Sequence, residues 1–228
     1  MAFPAVESTS FNNTGASTSH TVTMPADIVE DDLIVIVWCN DGSATASLTG
    51  FTKEVELTNG SAMSGAILWK VSDGTEGASV TVTTSAAEPG AYVAYRVSGH
   101  NGDLEASINN DDGAGDNTTT TWAVTSVTPS WGADDTLWII GLESQGHSSP
   151  QNDDVSSGYT DMIETTRTSN GALAMVNSGR LESNTTTESP ADCITGATTR
   201  ATTTLVAIQP GNLPAATDTG NALSMSNF

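Results

Sequence analysis

An all-β sandwich is the fold this sequence predicts, and three observations carry it. Short β-branched and aromatic runs are broken at roughly regular intervals by clusters of Gly, Asn, Asp and Ser, the punctuation of strands joined by tight turns. No stretch sustains a helical apolar period with caps; Ala172 to Leu181 is the nearest candidate, and strand and turn compete for it. Charged residues are only 14% of 228 and hydrophobic residues 37%, so Thr, Ser, Gly and Asn fill the remainder, a composition unlike that of a charge-dense disordered tail.

The first expected strand is Thr21 to Met24, followed by Leu33 to Cys39, Thr52 to Leu57, Ala66 to Val71, Ser79 to Thr84 and Ala91 to Val97. A second set runs Trp122 to Val127, Thr136 to Leu142, Asp161 to Thr165, Leu173 to Asn177, Ala191 to Thr195 and Thr203 to Ile208. Val80-Thr-Val82-Thr alternates cleanly, so one face is apolar and the other carries hydroxyls. Leu33 to Trp38 and Leu137 to Ile140 are continuously apolar, which predicts central strands covered on both faces or a contact between subunits.

The two sets read as copies of one unit. Asp32-Leu-Ile-Val-Ile-Val-Trp-Cys39 aligns with Asp135-Thr-Leu-Trp-Ile-Ile-Gly-Leu142 at an offset of 103, and Gly50-Phe-Thr52 aligns with Gly158-Tyr-Thr160 at an offset of 108. Val6-Glu-Ser-Thr resembles Leu104-Glu-Ala-Ser in the same order. Residues 1–211 are therefore expected to form one jelly-roll-like β-sandwich from tandem halves, about 4–100 and 103–211, in preference to two separate sandwiches. The connection Ser98 to Gly102 is too short for a flexible interdomain linker, and 212–228 reads as an extended C-terminal arm able to reach a neighbour.

Six Lys and Arg against 27 Asp and Glu give a net charge of −21, which argues against binding phosphate backbones. No basic n-region and apolar h-region open the chain, and the longest apolar run, Leu33 to Cys39, is far too short to span a bilayer, so neither export by a signal peptide nor a membrane is expected. Cys39 and Cys193 are then expected to be buried reduced thiols. Asn12, Asn117 and Asn184 each open an Asn-x-Thr triplet and read as solvated loop residues.

No constellation points to catalysis. His20, His100 and His147 read as loop residues, there is no Gly-x-Ser-x-Gly elbow, and 27 carboxylates generate accidental pairs without marking an acid and a base. Catalytic residues, metal ligands and cofactors are expected to be none, and a ligand-binding site is not specified. The acidic loop Asn109 to Asn117 and the run Asn152 to Asp154 lack the spacing of a calcium-binding loop and read as solvated turns, with a calcium ion in the 109–117 loop left open. Glu30-Asp-Asp32 and Asp134-Asp135 read as turns leading into buried strands. Trp38, Trp69 and Trp138 fall inside apolar strands and are expected in the core, which leaves Trp122 and Trp131 as the aromatic pair open to ligand contact.

The order Asp32-Leu-Ile-Val-Ile-Val, Gly50-Phe-Thr, Ala66-Ile-Leu-Trp-Lys-Val71 and Ala91-Tyr-Val-Ala-Tyr-Arg-Val-Ser-Gly99 resembles a group of β-sandwich virion proteins of tailed bacteriophages, over roughly residues 4–211. The group usually carries Gly-Asp before the first strand and Gly-Trp-Thr in the middle block, where this chain has Asp31-Asp32 and Gly50-Phe-Thr52. The resemblance implies a non-enzymatic structural protein with no catalytic residues to transfer. Its leading form is a capsid decoration (cement) protein on the outside of the head, assembled in the host cytoplasm, with the major capsid protein as partner. A homo-oligomer, possible as a trimer, goes with that form; the alternative is a tail-associated receptor- or carbohydrate-binding module.

Overall fold

The computed structural model describes residues 2–110, 119–145, 153–165 and 174–211, and among them the chain forms strands and turns. The first six strands are β1 (Ala5–Thr23), β2 (Leu33–Asp41), β3 (Ala46–Ser47), β4 (Thr52–Asn59), β5 (Met63–Val71) and β6 (Ser79–Ser98). The rest are β7 (His100–Asn109), β8 (Thr121–Trp122), β9 (Thr136–Gln145), β10 (Thr160–Glu164), β11 (Ala174–Ser183), β12 (Cys193–Ile194) and β13 (Ala201–Pro210). One sheet runs β1-β6-β2-β5-β4 with β3 beside β6, the other runs β10-β11-β9-β13-β7, and β8 pairs with β12 as a small ribbon. The ladders are antiparallel. Among the described residues no helix is long and apolar enough to cross a membrane.

The two large sheets pack face to face. Leu33, Val35 and Val37 of β2, Val93 and Val97 of β6, and Leu137 and Ile139 of β9 belong to the cluster that fills the space between them. Alternation along each strand sends the neighbouring residues outward. Those outward faces are also covered: Ile34, Ile36 and Trp38 lie under Val22, Met24 and Val82, and Trp138, Ile140 and Leu142 lie under Trp122, Val155 and Cys193. Two-sided cover is the physical reason that β2 is apolar from Leu33 to Cys39 and β9 from Leu137 to Leu142. Burying one such side chain contributes about 1.5–3 kcal/mol, so the central strands dominate the stability.

In the first half the cover is the far end of the paired strands β1 and β6, which bend back where register breaks fall between Thr14, Ser17 and Ser19. Gly90 sits at the bend. A Cβ there would lie 2.6 Å from Trp38 Cη2 and 2.9 Å from Thr14 Oγ1, so the position has room only for hydrogen. In the second half β8 and β12 do the same work as a separate ribbon. The chain passes from one sheet to the other through Gly99 alone, at φ 70°, and Gly211 N–H donates to Gly99 O at 2.7 Å, tying the last strand to that turn.

Several expectations change. Thr21 to Met24 is the end of a strand that starts at Ala5, and Ser79 to Thr84 joins Ala91 to Val97 in one strand. The Ser/Thr/Asn-rich stretch before His20 pairs because its backbone, not its side chains, makes the ladder. β7 was not foreseen at all, since Gly102, Asp103 and Asn109 read as turn residues. Ala172 to Leu181 is strand rather than helix from Ala174 onward, and Trp122 to Val127 and Ala191 to Thr195 shrink to two-residue strands. Asn12 lies within β1, not in a loop, whereas Asn184 lies outside the strands. Asn117, His147, most of the 109–117 loop and the 212–228 arm lie outside the described residues.

Candidate functional site

The group with the most perturbed chemistry stands in the middle of the layer between the sheets. Glu143 shares the inner face of β9 with Leu137, Ile139 and Gly141, because residues two apart on a strand point the same way, and it is 0% exposed. Two glycines make room for it. A Cβ on Gly141 would come within 2.5 Å of Glu143 Oε1 and 2.9 Å of Val37 Cγ1, and a Cβ on Gly65 of the facing β5 would collide with Thr202 Oγ1 and lie 3.3 Å from Glu143 Oε2.

The carboxyl is held by its neighbour strand. Thr202 Oγ1 donates to Glu143 Oε2 at 3.0 Å and Thr204 Oγ1 donates to Oε1 at 2.7 Å. Among the described residues no cation pairs with it. Burial raises its pKa from the usual carboxylate range to about 7, against the opposing pull of the two hydroxyl donors. Cys39, on the inner face of β2, is close enough to feel the Glu143 charge; burial first and that charge second push its thiol well up. Asp41 accepts from Gln145 Nε2 at 3.1 Å, and burial raises its pKa as well.

The Glu143 bonds stay within its own sheet, whereas the Gln145–Asp41 bond is one of a set of polar contacts that cross from sheet to sheet. Asn59 Nδ2 donates to Ala201 O at 2.9 Å, Tyr95 O–H to Ser178 Oγ at 2.6 Å, and Asn13 Nδ2 to Ala174 O at 2.7 Å. With no exposure at Glu143, the arrangement can take up or release a proton near neutral pH but offers no reacting surface. The residues alone held a signal for it: the step Leu137, Ile139, Gly141, Glu143 places the carboxylate on the face that its apolar neighbours bury.

The histidines act as fasteners. His20 is in β1 rather than a loop and is 1% exposed, with Nδ1 2.7 Å from Thr14 Oγ1, Nε2 3.1 Å from Thr84 Oγ1 and its ring edge-on to Trp38. Burial lowers its pKa. His100 Nε2–H donates to Asp31 O at 2.9 Å while its Nδ1 accepts from Gly102 N–H at 2.8 Å, which fixes the tautomer. Burial lowers this pKa too.

The tryptophans do not form a ligand platform. Trp122 is fully buried beside Cys193 and Val127, contrary to the expectation that it is open to ligand contact, because β8 is folded over the outer face of the second sheet. Trp131 is half-buried and donates to Thr136 Oγ1 at 3.0 Å. Trp38 and Trp138 are buried as expected, and Trp69 is half-buried. Cys39 and Cys193 are free and buried, and burial pushes the Cys193 thiol up to about 12.

Of the acidic runs, Glu30 to Asp32 behaves as the expected turn: Asp32 Oδ2 accepts from Val29 N–H at 2.8 Å and from Arg96 Nε at 2.6 Å. Asp153 Oδ1 accepts from Gly196 N–H at 2.7 Å. Among the described residues no three His, Cys, Asp or Glu side chains come together in a way that could hold a metal ion. No family model, curated protein or solved structure matches this chain.

Proposed function

We propose that this chain is a non-enzymatic virion structural protein, a capsid decoration protein that binds the outside of a phage head and reinforces contacts between major capsid subunits. The observation that carries the reading is the polar contacts that lock two sheets into one rigid block, with the tuned groups Glu143, Cys39 and His20 sealed inside it. A block of this kind resists deformation and presents surface, which is what a cement requires. The motif order shared with tailed-phage virion proteins and the net charge of −21 support the same reading.

The proposal includes a duplicated origin. Each ladder of the first half has a counterpart in the second: Val6 pairs with Val97 as Leu104 pairs with Ile208, Leu33 with Val71 as Leu137 with Glu182, and Thr52 with Trp69 as Thr160 with Arg180. Like faces then match at an offset of 104 for β2 and β9, because the offset of 103 taken from the residue strings is odd and would turn every side chain over. The sheets also meet reciprocally, β6 against β11 and β5 against β13, with β2 against β9 at the centre. That is the arrangement of a two-fold dimer made within one chain.

Heads purified without the protein test the function. The full chain is expected to co-sediment with expanded heads and to raise their resistance to heat or chelator. Retention on tails alone, or on host glycans alone, overturns the decoration reading and moves the protein to the tail.

A further inference from the structure

The two sides of the sandwich are built from corresponding strands but are not filled alike. At one side β4 lies against β7; Leu104 is in the inter-sheet core, Trp69 packs against it with its indole N–H on Glu54 Oε2 at 3.0 Å, and Asn110 Nδ2 donates to Thr58 O at 3.1 Å. At the other side, between β1 and β10, a cleft of about 400 Å³ opens, bordered by Val6, Thr9, Tyr95, Met162 and Arg180. Arg180 occupies the ladder position that Trp69 fills on the closed side, since Thr160 pairs with Arg180 as Thr52 pairs with Trp69. The cleft is thus the place where the other side has an indole.

Its lining also holds the carboxylates Glu7 and Asp161, each with a partner, and the guanidinium of Arg180 is its one cationic donor. Arg180 spends Nε on Asp161 Oδ2 at 2.6 Å, while among the described residues its Nη groups have no partner. Asp161 lies in the left-handed region at φ 52°, beside an irregularity in β10. Glu7 is engaged by Ser98 Oγ at 2.5 Å. Among the described residues β1 pairs only with β6 and β10 only with β11, so both strands offer free backbone N–H and C=O groups. Between Ala5 and Thr14, β1 carries a single charge, Glu7, in a protein of net charge −21. Of the four large hydrophobic residues exposed among the described residues, Phe11 at 53% and Met162 at 42% sit on the two strands that flank the cleft.

We propose that this cleft is a docking groove for an extended segment of a partner protein, which lies along the free edge of β1, places a bulky apolar side chain between β1 and β10, and gives a carboxylate or carbonyl oxygen to Arg180. Strand addition to an open edge supplies main-chain affinity, and the pocket for the alternate side chain supplies selectivity. A second copy fits less well, since it opposes −21 with −21. The groove is defined by the fold and holds whether the protein sits on a head or a tail.

Fluorescein-labelled peptides of roughly seven residues, a length typical of strands, test the groove. The series alternates Thr and Val, places Trp, Leu, Ala or Lys at the centre, and carries Glu or Lys two residues on; polarisation is read against the full chain. Peptides with central Trp or Leu and a following Glu are expected to bind, with losses of about tenfold or more for central Ala or for Glu replaced by Lys. Arg180→Trp, which restores the plug of the closed side, and Arg180→Met, which keeps the stem without the donors, should each weaken binding by a similar factor. No binding of any peptide up to roughly 1 mM, or equal binding by wild type and both variants, overturns the proposal. So does a β1-mediated dimer that excludes the peptides equally in wild type and both variants.

Discussion

Replacing Glu143 with Gln should make the protein more stable above neutral pH and leave it nearly unchanged in mild acid. The folded state raises the Glu143 pKa from 4.5 to about 7, so the folded protein holds this proton more tightly than the unfolded chain does. Its contribution to stability is complete below about pH 4.5 and is lost as pH rises through about 7. At roughly 1.4 kcal/mol per unit the full loss is about 3 kcal/mol, of which about 2.5 falls between roughly pH 5 and 8.5. Gln cannot titrate, fits between Gly65 and Gly141, and can still accept from one threonine hydroxyl while donating to the other. Guanidinium unfolding of wild type and Glu143→Gln, followed by tryptophan fluorescence at matched ionic strength, removes the background from the surface carboxylates. The stability difference between the two proteins should widen by about 2–3 kcal/mol across that range, or roughly 5–10 °C in Tm for a domain of this size. A difference that stays constant with pH refutes the argument, because it means that the folded carboxyl ionises as readily as the unfolded one and is solvated when charged.

Four further changes probe other parts of the frame. Asp32→Ala removes the acceptor shared by Val29 N–H and the half-buried Arg96, and is expected to cost about 3 kcal/mol in denaturant unfolding. Asn177→Leu should stabilise by about 1–2 kcal/mol, since among the described residues both buried side-chain polar atoms of Asn177, beside Leu142, have no partner. Gly90→Ala forces Trp38 or Thr14 to move and should lower stability by about 2 kcal/mol, with an altered near-UV circular dichroism signal from the displaced indole. Tyr95→Phe should cost only about 1 kcal/mol, because Ser178 Oγ keeps its bond to Ile140 O at 2.7 Å after the phenol is gone.

The central strands were legible because burial on both faces writes itself into the residues: Leu33 to Cys39 and Leu137 to Leu142 leave no polar position except Thr136 at the margin. The edge strands were not. Ser8, Thr9 and Ser10 carry the polar side chains of a loop, and what makes them strand is the ladder to β6, a contact remote in sequence. The same remoteness hid the bend in the β1–β6 pair, which seals Trp38 under Val22 and Val82. Trp122 misled for a related reason. A two-residue strand is too short to show alternation, so its burial follows only from the pairing of Cys193 with Trp122 over the second sheet. The face of Glu143 could be read by counting from Leu137 in steps of two, but its two threonine donors come from β13 and appear only once the strands are placed side by side.

An apolar layer resists separation of two sheets better than it resists their sliding, because the hydrophobic effect has no direction. Direction comes from the few polar groups inside it. Asn59 reaches a backbone carbonyl of the opposite half and Tyr95 reaches a serine hydroxyl there, and neither bond survives a slip of one residue along a strand. Glu143 adds direction by fit and not by a bond across the layer: its hydroxyl donors lie in its own sheet, and a glycine in each sheet leaves space for a carboxyl and little else. The cost of burying it is then a cost of register, and it is smallest when the carboxyl is protonated. A protein built this way should hold one alignment of its sheets most firmly in mild acid and loosen first at the centre of the layer as the pH rises.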